Sequence, residues 1–487
     1  MKKIHAIRQQ GYQLFHDGLI ELARVEANGI RIDLARLERT KAKLAERIRT
    51  LKTEMEQDKV WAMWRKRFGA KANFTSHSQL GTVLFEIMGF KVHTETESGA
   101  PSTDAEALQK VDHPFVKKMA KFLKYEKALG TFIKGIEREI VGDRIHPSYN
   151  LHLARSFRSS SDSPNFQNFP VRDEEISKII RSLFIASEGH QIVENDFKGI
   201  EVALSAAYHK DPVFIEYIST PGKDMHRDMA AQLYKLKPAE VSKEARYGAK
   251  NMFVFPQFYG DFYVSCARSL WEWIGRGKLT TPEGESLYAH LKRKGIVTLG
   301  ECDPEIDPIE GTFEKHVRDV ENDFWNRRFQ KYGEWRRVWY KKYLENGYFD
   351  LLTGFRVPGV FNRKQVCNYP IQGSAFHCLL WTLIKVNRIL RKRGMESMIV
   401  GQIHDSLVGD VKTTELKKYM KIVDHVVSVG LPKHYPFLVV PPQIEYAVAP
   451  PGGNWYQKEE GIGPKDNDGA AEKGIARGYT KPGKRLR

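Results

Sequence analysis

Three things are scarce in this 487-residue sequence. Cysteine occurs four times, at Cys266, Cys302, Cys367 and Cys378. Those positions have neither metal-ligand spacing nor the pattern of a disulfide framework, so a stapled secreted fold and a cysteine-bound metal are excluded and a reducing compartment is expected. No apolar run approaches a bilayer-spanning length, which excludes a helical membrane span. The first residues, MKKIHAIRQQGYQLFHDG, carry charge but no apolar core and no small-residue cleavage pattern. No secretory leader is therefore expected, the mature chain should begin near Met1, and the cytoplasm is the expected compartment. Acid is also short: 60 Asp and Glu stand against 77 Lys and Arg, a net charge of +17. That excess points to a polyanionic partner.

What is present is a globular composition, 41% hydrophobic and 28% charged, long enough for several sub-domains. Leu34 to Lys66 reads as one long charged helix with Leu37, Leu44, Ile48, Leu51 and Met55 on one stripe. Ser76 to Gln79 has capping-box spacing, and Ser102-Thr103-Asp104 follows Pro101 as a second helix start. The stretch SFRSSSDSPNFQNFPV, from Ser156 to Val171, is loop-like. A strand is expected through Gln191 to Val193, and a helix from Gly199 that carries Ile200, Ala203, Leu204 and Ala207. Helices should dominate residues 224 to 345, interrupted by a Gly- and charge-rich insertion from Gly275 to Gly311. The end, from Gly463 to Arg487, reads as a flexible basic tail that either contacts phosphates or is merely solvated.

QIHDSLVGDV, residues 402 to 411, places a His404-Asp405 pair between two apolar β-branched runs. As local structure this is a hairpin, with strands Ile399 to Ile403 and Leu407 to Val411 around a polar turn. Asp196 sits where another apolar strand gives way to a helix, a position that an N-cap would equally explain. If the two strands are neighbours, their aspartates could hold two Mg²⁺ ions for phosphoryl transfer. In EARYGAKNMFVFPQFYG, Arg246 and Lys250 are four apart on one helix face. They suit a triphosphate, or simply a wet face. His226 could add a hydrogen bond to the same phosphates. Phe255, Phe258 and Tyr259 are core residues or a stacking surface for a base.

Taken in order, RSSSDSPNFQNFP, DFKGIE, RYGAK with a later YG, NYPIQGSA and IHDS make the sequence resemble the family A, DNA polymerase I-like DNA polymerases, especially those of bacteriophages. The likeness runs from about Leu19 to Trp455. It implies an α+β right-hand fold with an antiparallel-sheet palm and largely helical thumb and fingers. The thumb would occupy residues 31–150, the palm 151–215 and 346–462, and the fingers 216–345 with the insertion near 275–311. Residues 1–30 would be a lead-in and 463–487 the tail.

The resemblance also implies roles. Asp196, Asp405 and the Phe197 carbonyl would hold two Mg²⁺, with Mn²⁺ as a substitute. Glu201 would exclude a ribose 2′-OH. His226, Arg246 and Lys250 would bind the incoming dNTP, with Lys250 giving a proton to pyrophosphate, and Tyr259 would stand near the templating base. Arg158, Asn368 and Gln372 would read the minor groove of primer-template DNA, and His404 would pack against the primer end. Compared with the family spacing, one extra residue separates Lys250 from Tyr259-Gly260. A π-bulge near Pro256 would absorb it and bring Phe255, rather than Val254, to the incoming sugar and base. Ser406 replaces a common glutamate.

No 3′-5′ exonuclease domain fits before the thumb. Proofreading is therefore expected from a separate polypeptide, with a helicase or processivity factor as further partners and a phage-infected bacterial cytoplasm as the setting. A single-subunit RNA polymerase is disfavoured by Glu201. A non-catalytic nucleic-acid binder is disfavoured because both aspartates and the triphosphate lysine are present.

Overall fold

Alternating apolar stretches near residues 190 and 400 come together in one antiparallel five-stranded sheet. The computed structural model describes residues 2–92, 95–96, 99–171 and 173–461, so the expected basic tail lies outside the described residues. The strands are β1 (His190–Phe197), β2 (Met398–Ile403), β3 (Ser406–Lys412), β4 (Ile444–Val448) and β5 (Glu459–Glu460), in the order β2-β3-β1-β4-β5. Successive strand residues face opposite sides. Ile192, Val400 and Val408 therefore enter one core, while Val193, Ile399 and Leu407 enter another. Both faces of β1 and β3 are covered, so their polar residues are buried or half-buried too, Asn195 and Asp410 among them.

The first core lies under residues 30–184 and takes in Trp64, Phe115, Phe166, Phe184 and Trp455. Here the expected single helix is two: α2 (Leu34–Glu56) and α3 (Lys59–Phe68). Asp58 accepts from Val60 N at 2.9 Å and starts a new helix. Helical periodicity continues across the joint, which is why the break is not evident from the stripe. Leu37, Leu44, Ile48 and Met55 are buried as the stripe predicts. At the next helix start Ser76 Oγ accepts from Gln79 N, but no reciprocal capping box forms. The Gln79 carboxamide oxygen instead accepts from Trp64 Nε1 and Asn73 N, both at 2.9 Å. A buried indole N–H without a partner costs more than the exposed cap contact contributes.

The second core joins the other sheet face to two long helices, α1 (Lys2–Asn28) and, much later in the chain, a central helix running from Arg363 to Lys392. The lead-in segment is thus a helix whose Leu14, Leu22 and Val25 pack in this core. The central helix begins with a capping box between Asn362 and Gln365 and contains Pro370, which has no N–H for the carbonyl of Val366. The indole of Trp339 donates to Val366 O at 3.0 Å instead. The third core is helical and gathers residues 206–332. Its helices are α4 (Ile200–His209), α5 (Met225–Leu233), α6 (Lys243–Ala249) and, on its flank, α7 (Gln330–Asn346); the central helix is α8. Within the Gly275–Gly311 stretch the only helix that both begins and ends there, among the described residues, is Leu287–Arg293.

Candidate active site

The hairpin supplies one carboxylate and the strand beside it the other. Ile403 pairs with Ser406, which makes His404-Asp405 a two-residue turn. His404 has φ 49°, the positive value that tight hairpin turns demand at their first position. Glycine would normally sit there, and holding histidine in that region costs on the order of 1 kcal/mol. Ser406 in turn pairs with Asp196 on β1, and Phe197 N donates to Asp405 O at 3.2 Å. The register therefore sets Asp405 against the end of the strand bearing Asp196. Ser406 Oγ donates to Ile403 O at 3.1 Å and closes the hairpin rather than facing outward.

Burial, then the charges of Asp405 and Glu194, push the Asp196 carboxyl up to about 7. Burial likewise raises Asp405. Two half-buried carboxylates that disfavour each other's ionisation are a place where a divalent cation would be stabilising. Among the described residues no group of three or more His, Cys, Asp and Glu is arranged around a common point. The donor set is therefore too sparse for a closed metal cage. It fits Mg²⁺, which keeps water and phosphate oxygens beside one or two protein carboxylates. Two further acids share this sheet face. Glu445 pairs with Asp196 across β4 but forms an ion pair with Lys198 at 3.0 Å. Glu194 is held by Lys458 and by Trp455 Nε1.

After β1 the chain turns into α4 through Gly199, at φ 59°. This left-handed turn puts Glu201 in the first helical turn, where a carboxylate suits the helix N-terminus. Tyr259 OH donates to Glu201 at 3.0 Å, and Arg158 Nη1 stands 3.7 Å from its other oxygen. Burial raises the Glu201 carboxyl, and Arg158 and Tyr259 oppose that rise. Arg158 follows Phe157, itself left-handed at φ 58°. His377 on α8 donates from Nε2 to Phe157 O at 3.0 Å and accepts at Nδ1 from Thr353 Oγ1 at 2.6 Å. Burial lowers this imidazole to about 3, so it stays neutral. At Gly373 an added Cβ would lie 2.3 Å from Ser156 O, so only glycine lets α8 approach the Arg158 loop this closely. Asn368 and Gln372 project half-buried from α8 beside that approach. Neither is hydrogen-bonded to another described site residue. His404 stands at the turn, where partial desolvation of its ring by the surrounding protein and the nearby Arg158 lower its pKa.

A cluster of bases gathers on the helices of the third core. α6 passes into a π-turn over Lys250–Val254, with Phe255 N bonded to Lys250 O five residues back. The extra residue is absorbed immediately before Pro256, and the wider turn buries Val254 in the third core. Phe255 remains half-buried, with Lys250 Nζ 5.2 Å from its ring centre and the His226 ring at 5.6 Å. Tyr259 lies 6.1 Å from Phe255, while Phe258 is a core residue. Burial, then Arg246 and Lys250, lower His226 to about 4, and among the described residues its buried Nδ1 has no hydrogen-bond partner.

Sequence reasoning misses one member of this cluster. Asp224 caps α5 by accepting from His226 N and Arg227 N, and its second oxygen accepts from Arg246 Nε at 2.6 Å. An aspartate immediately before a helix start is the available signal. His377 gives no such signal, because its partners lie far away in sequence.

Comparison with known proteins agrees with this geometry. The model of DNA polymerase family A matches residues 35–276 and 352–457. The DNA polymerase of Bacillus phage SP01 is 30% identical over 383 residues, 74% of this chain and 37% of that protein. DNA polymerase I of Chloroflexus aurantiacus is 28% identical over 450 residues, 90% of this chain and 42% of that protein. The chain thus spans about two-fifths of the length of these relatives. Among solved structures, the POL domain of Pol1 from M. smegmatis, in complex with DNA primer-template and dNTP, superposes with a TM-score of 0.69 at 25% identity. That likeness covers 91% of this chain and 70% of the other. On this evidence the chain belongs to DNA polymerase family A.

Proposed function

We propose that the chain is a template-directed DNA polymerase that adds deoxynucleotides to a primer 3′-OH and releases pyrophosphate, acting in phage DNA replication within a bacterial cytoplasm. The observation that carries this reading is the strand register that sets Asp405 beside Asp196, on the strand whose following helix bears Glu201, which connects through Tyr259 and Phe255 to Lys250 and His226. In this reading residues 31–150 are the thumb, 151–215 and 346–462 the palm, and 216–345 the fingers. The phage relative supports the setting. No helix among the described residues is long and apolar enough to cross a membrane.

Asp196, Asp405 and the Phe197 carbonyl would hold Mg²⁺. When bound, that metal lowers the pKa of the attacking hydroxyl and stabilises the leaving oxygen. The chain's own groups do the rest. Arg246 exchanges Asp224 for the triphosphate, a charge-assisted bond replacing one already made, so its side chain reaches the substrate already extended and oriented. Lys250 neutralises the growing charge on the leaving phosphates and gives up a proton there. Neutral His226 offers its ring N–H to the same phosphates. Phe255 presents a flat apolar face to the incoming sugar and base. Glu201, tied to Tyr259 and Arg158, occupies the space a 2′-OH would need, which favours deoxyribose and disfavours an RNA polymerase. Arg158, aimed by His377 through Phe157, joins Asn368 and Gln372 along the primer terminus.

The deciding experiment is primer extension by the purified chain with dNTPs or rNTPs in the presence of Mg²⁺ or Mn²⁺. Template-dependent incorporation of dNTPs with exclusion of rNTPs is expected. Failure to extend any primer while the chain still binds DNA would leave only a nucleic-acid-binding role.

A further inference from the structure

The helix Pro212–Ser219 follows α4 and opens the run of residues that builds most of the third core. Asp211 caps it, with Oδ1 accepting from Val213 N at 3.0 Å and from Phe214 N at 3.1 Å. Its other oxygen does something that a cap does not require. Oδ2 accepts from Lys331 N at 3.0 Å and from Tyr332 N at 3.2 Å, 120 and 121 residues later, in the first turn of α7. Phe329, which precedes α7, gives that helix no side-chain cap, so these N–H groups would otherwise be orphaned. Asp211 is only 1% exposed. Four backbone N–H groups supply the hydrogen bonds without which burying a carboxylate is costly.

This joint stands where the chain enters and leaves the helical body. The chain departs from α4 at His209 and returns at Gln330, and residues 212–329 between them carry His226, Arg246, Lys250, Phe255 and Tyr259. Both flanking helices are bonded to α8. Tyr208 OH on α4 donates to Pro370 O at 3.0 Å, and Trp339 on α7 donates to Val366 O. His209 closes the joint, since its Nδ1 accepts from Asp211 N at 2.9 Å and its ring stacks on Tyr332 with centres 3.9 Å apart. The body is thus entered and left at a point that one carboxylate spans. Two crossings held this closely oppose sliding of the body and leave rotation about the joint as the soft motion, as at hinges made of element ends.

We propose that Asp211 is a positioning residue for phosphoryl transfer: it pins both crossings, so that Arg246 and Lys250 on the body keep a set orientation toward Asp196 and Asp405 on the sheet. The proposal rests on the polymerase reading for the reaction. The joint itself does not depend on that reading. Transfer needs both groups on one substrate, and a displacement of about 1 Å can cost on the order of 100-fold in rate.

The test compares the full chain with Asp211→Ser. Serine caps the helix after it as well as aspartate does, but its shorter side chain cannot also reach Lys331 and Tyr332. Amide hydrogen exchange should therefore quicken at Lys331 and Tyr332 by about ten-fold or more and stay near wild type at Val213 and Phe214. Extension at saturating dNTP should slow by about 100-fold, while the KM for dNTP and the primer-template affinity each change by less than about three-fold. A third readout needs no activity. Spin labels on Lys292→Cys and Lys418→Cys, exposed positions on helices of the third and second cores, should show one narrow separation that broadens or shifts when Asp211→Ser is added. The four native cysteines are buried, which directs the labels to the new ones.

Asp211→Asn, of the same shape but with one acceptor oxygen replaced by a donor, should show the same effects at smaller size and serves if Asp211→Ser does not fold. Unchanged exchange at Lys331 and Tyr332 would overturn the proposal. So would faster exchange with an unaltered label separation and extension rate, because Asp211 would then be a cap and nothing more. A wild-type chain that extends no primer would instead count against the polymerase reading, and the label separation would decide by itself whether Asp211 sets the orientation of the body.

Discussion

The two halves of the candidate site are built by different means. The carboxylate half comes from backbone register: a two-residue turn between β2 and β3, paired through Ser406 to Asp196, leaves Asp405 one position beyond the pairing. Strands buried on both faces cannot slip by one residue without turning every side chain to the wrong core. The aspartates are consequently held by many apolar contacts that have no chemical role. The basic half sits on helices, where Arg246 is held by one bond to Asp224 and Phe255 is set by a local π-turn. The first half is rigid because the sheet is rigid. The second is held by a few polar contacts that a substrate can exchange, which suits a group that must engage and release on every cycle.

If this contrast is right, substitutions in the two halves should fail differently. Asp405→Ala should lower the rate of primer extension by about 1,000-fold or more while primer-template affinity changes little. An active variant would refute the metal-holding role. Lys250→Ala should reduce the extension rate by about 100-fold while primer-template affinity changes little. An unchanged rate would remove Lys250 from the transfer step. Glu201→Ala should reduce discrimination against ribonucleotides by about 100-fold while dNTP incorporation persists, measured as the ratio of kcat/KM values. Unchanged sugar selectivity would break the link between the Tyr259 contact and the gate.

Smaller effects sharpen the comparison further. His377 is lowered to about 3, below the ordinary value near 6.5 expected in the unfolded chain. Protons therefore bind the unfolded state more readily. The stability tied to neutral His377 is complete above about pH 6.5 and is lost as pH falls toward 3, amounting to about 2–3 kcal/mol at pH 4.5. His377→Asn should flatten that part of the acid limb in thermal melts and leave neutral-pH folding intact. An unaltered acid limb would argue that other buried histidines control it. Asp224→Ala should cost about 1 kcal/mol through loss of the α5 cap. It should change the KM for dNTP by only a few-fold, against at least about ten-fold for Arg246→Ala. Equal effects would mean that the Asp224 contact, not Arg246 itself, carries substrate binding.

Much of this architecture is legible in the sequence. The His404-Asp405 turn, the strand that carries Asp196, the buried stripe from Leu37 to Met55 and the π-turn before Pro256 each depend on neighbours a few residues apart, where dihedral preference and side-chain period act. The break at Asp58 is hidden because two consecutive helices can share one periodic stripe. The role of Gln79 is hidden because Trp64, whose indole needs an acceptor, outcompetes the cap. The bond from Arg246 to Asp224 and the His377 clamp on Phe157 join residues far apart in sequence and have no local signature.

Chain-local chemistry thus determined which segments are strands, helices and turns, and which residues carry charge suited to phosphate and metal. It could not determine that Asp196 and Asp405 would lie beside each other, that Arg246 would be bonded to Asp224, or that a neutral imidazole would aim Arg158. Those outcomes depend on strand register and on desolvation by distant residues. Both are properties of the packed interior, where the same carboxylate, imidazole or guanidinium takes a different charge state and a different partner from the one it would have in water.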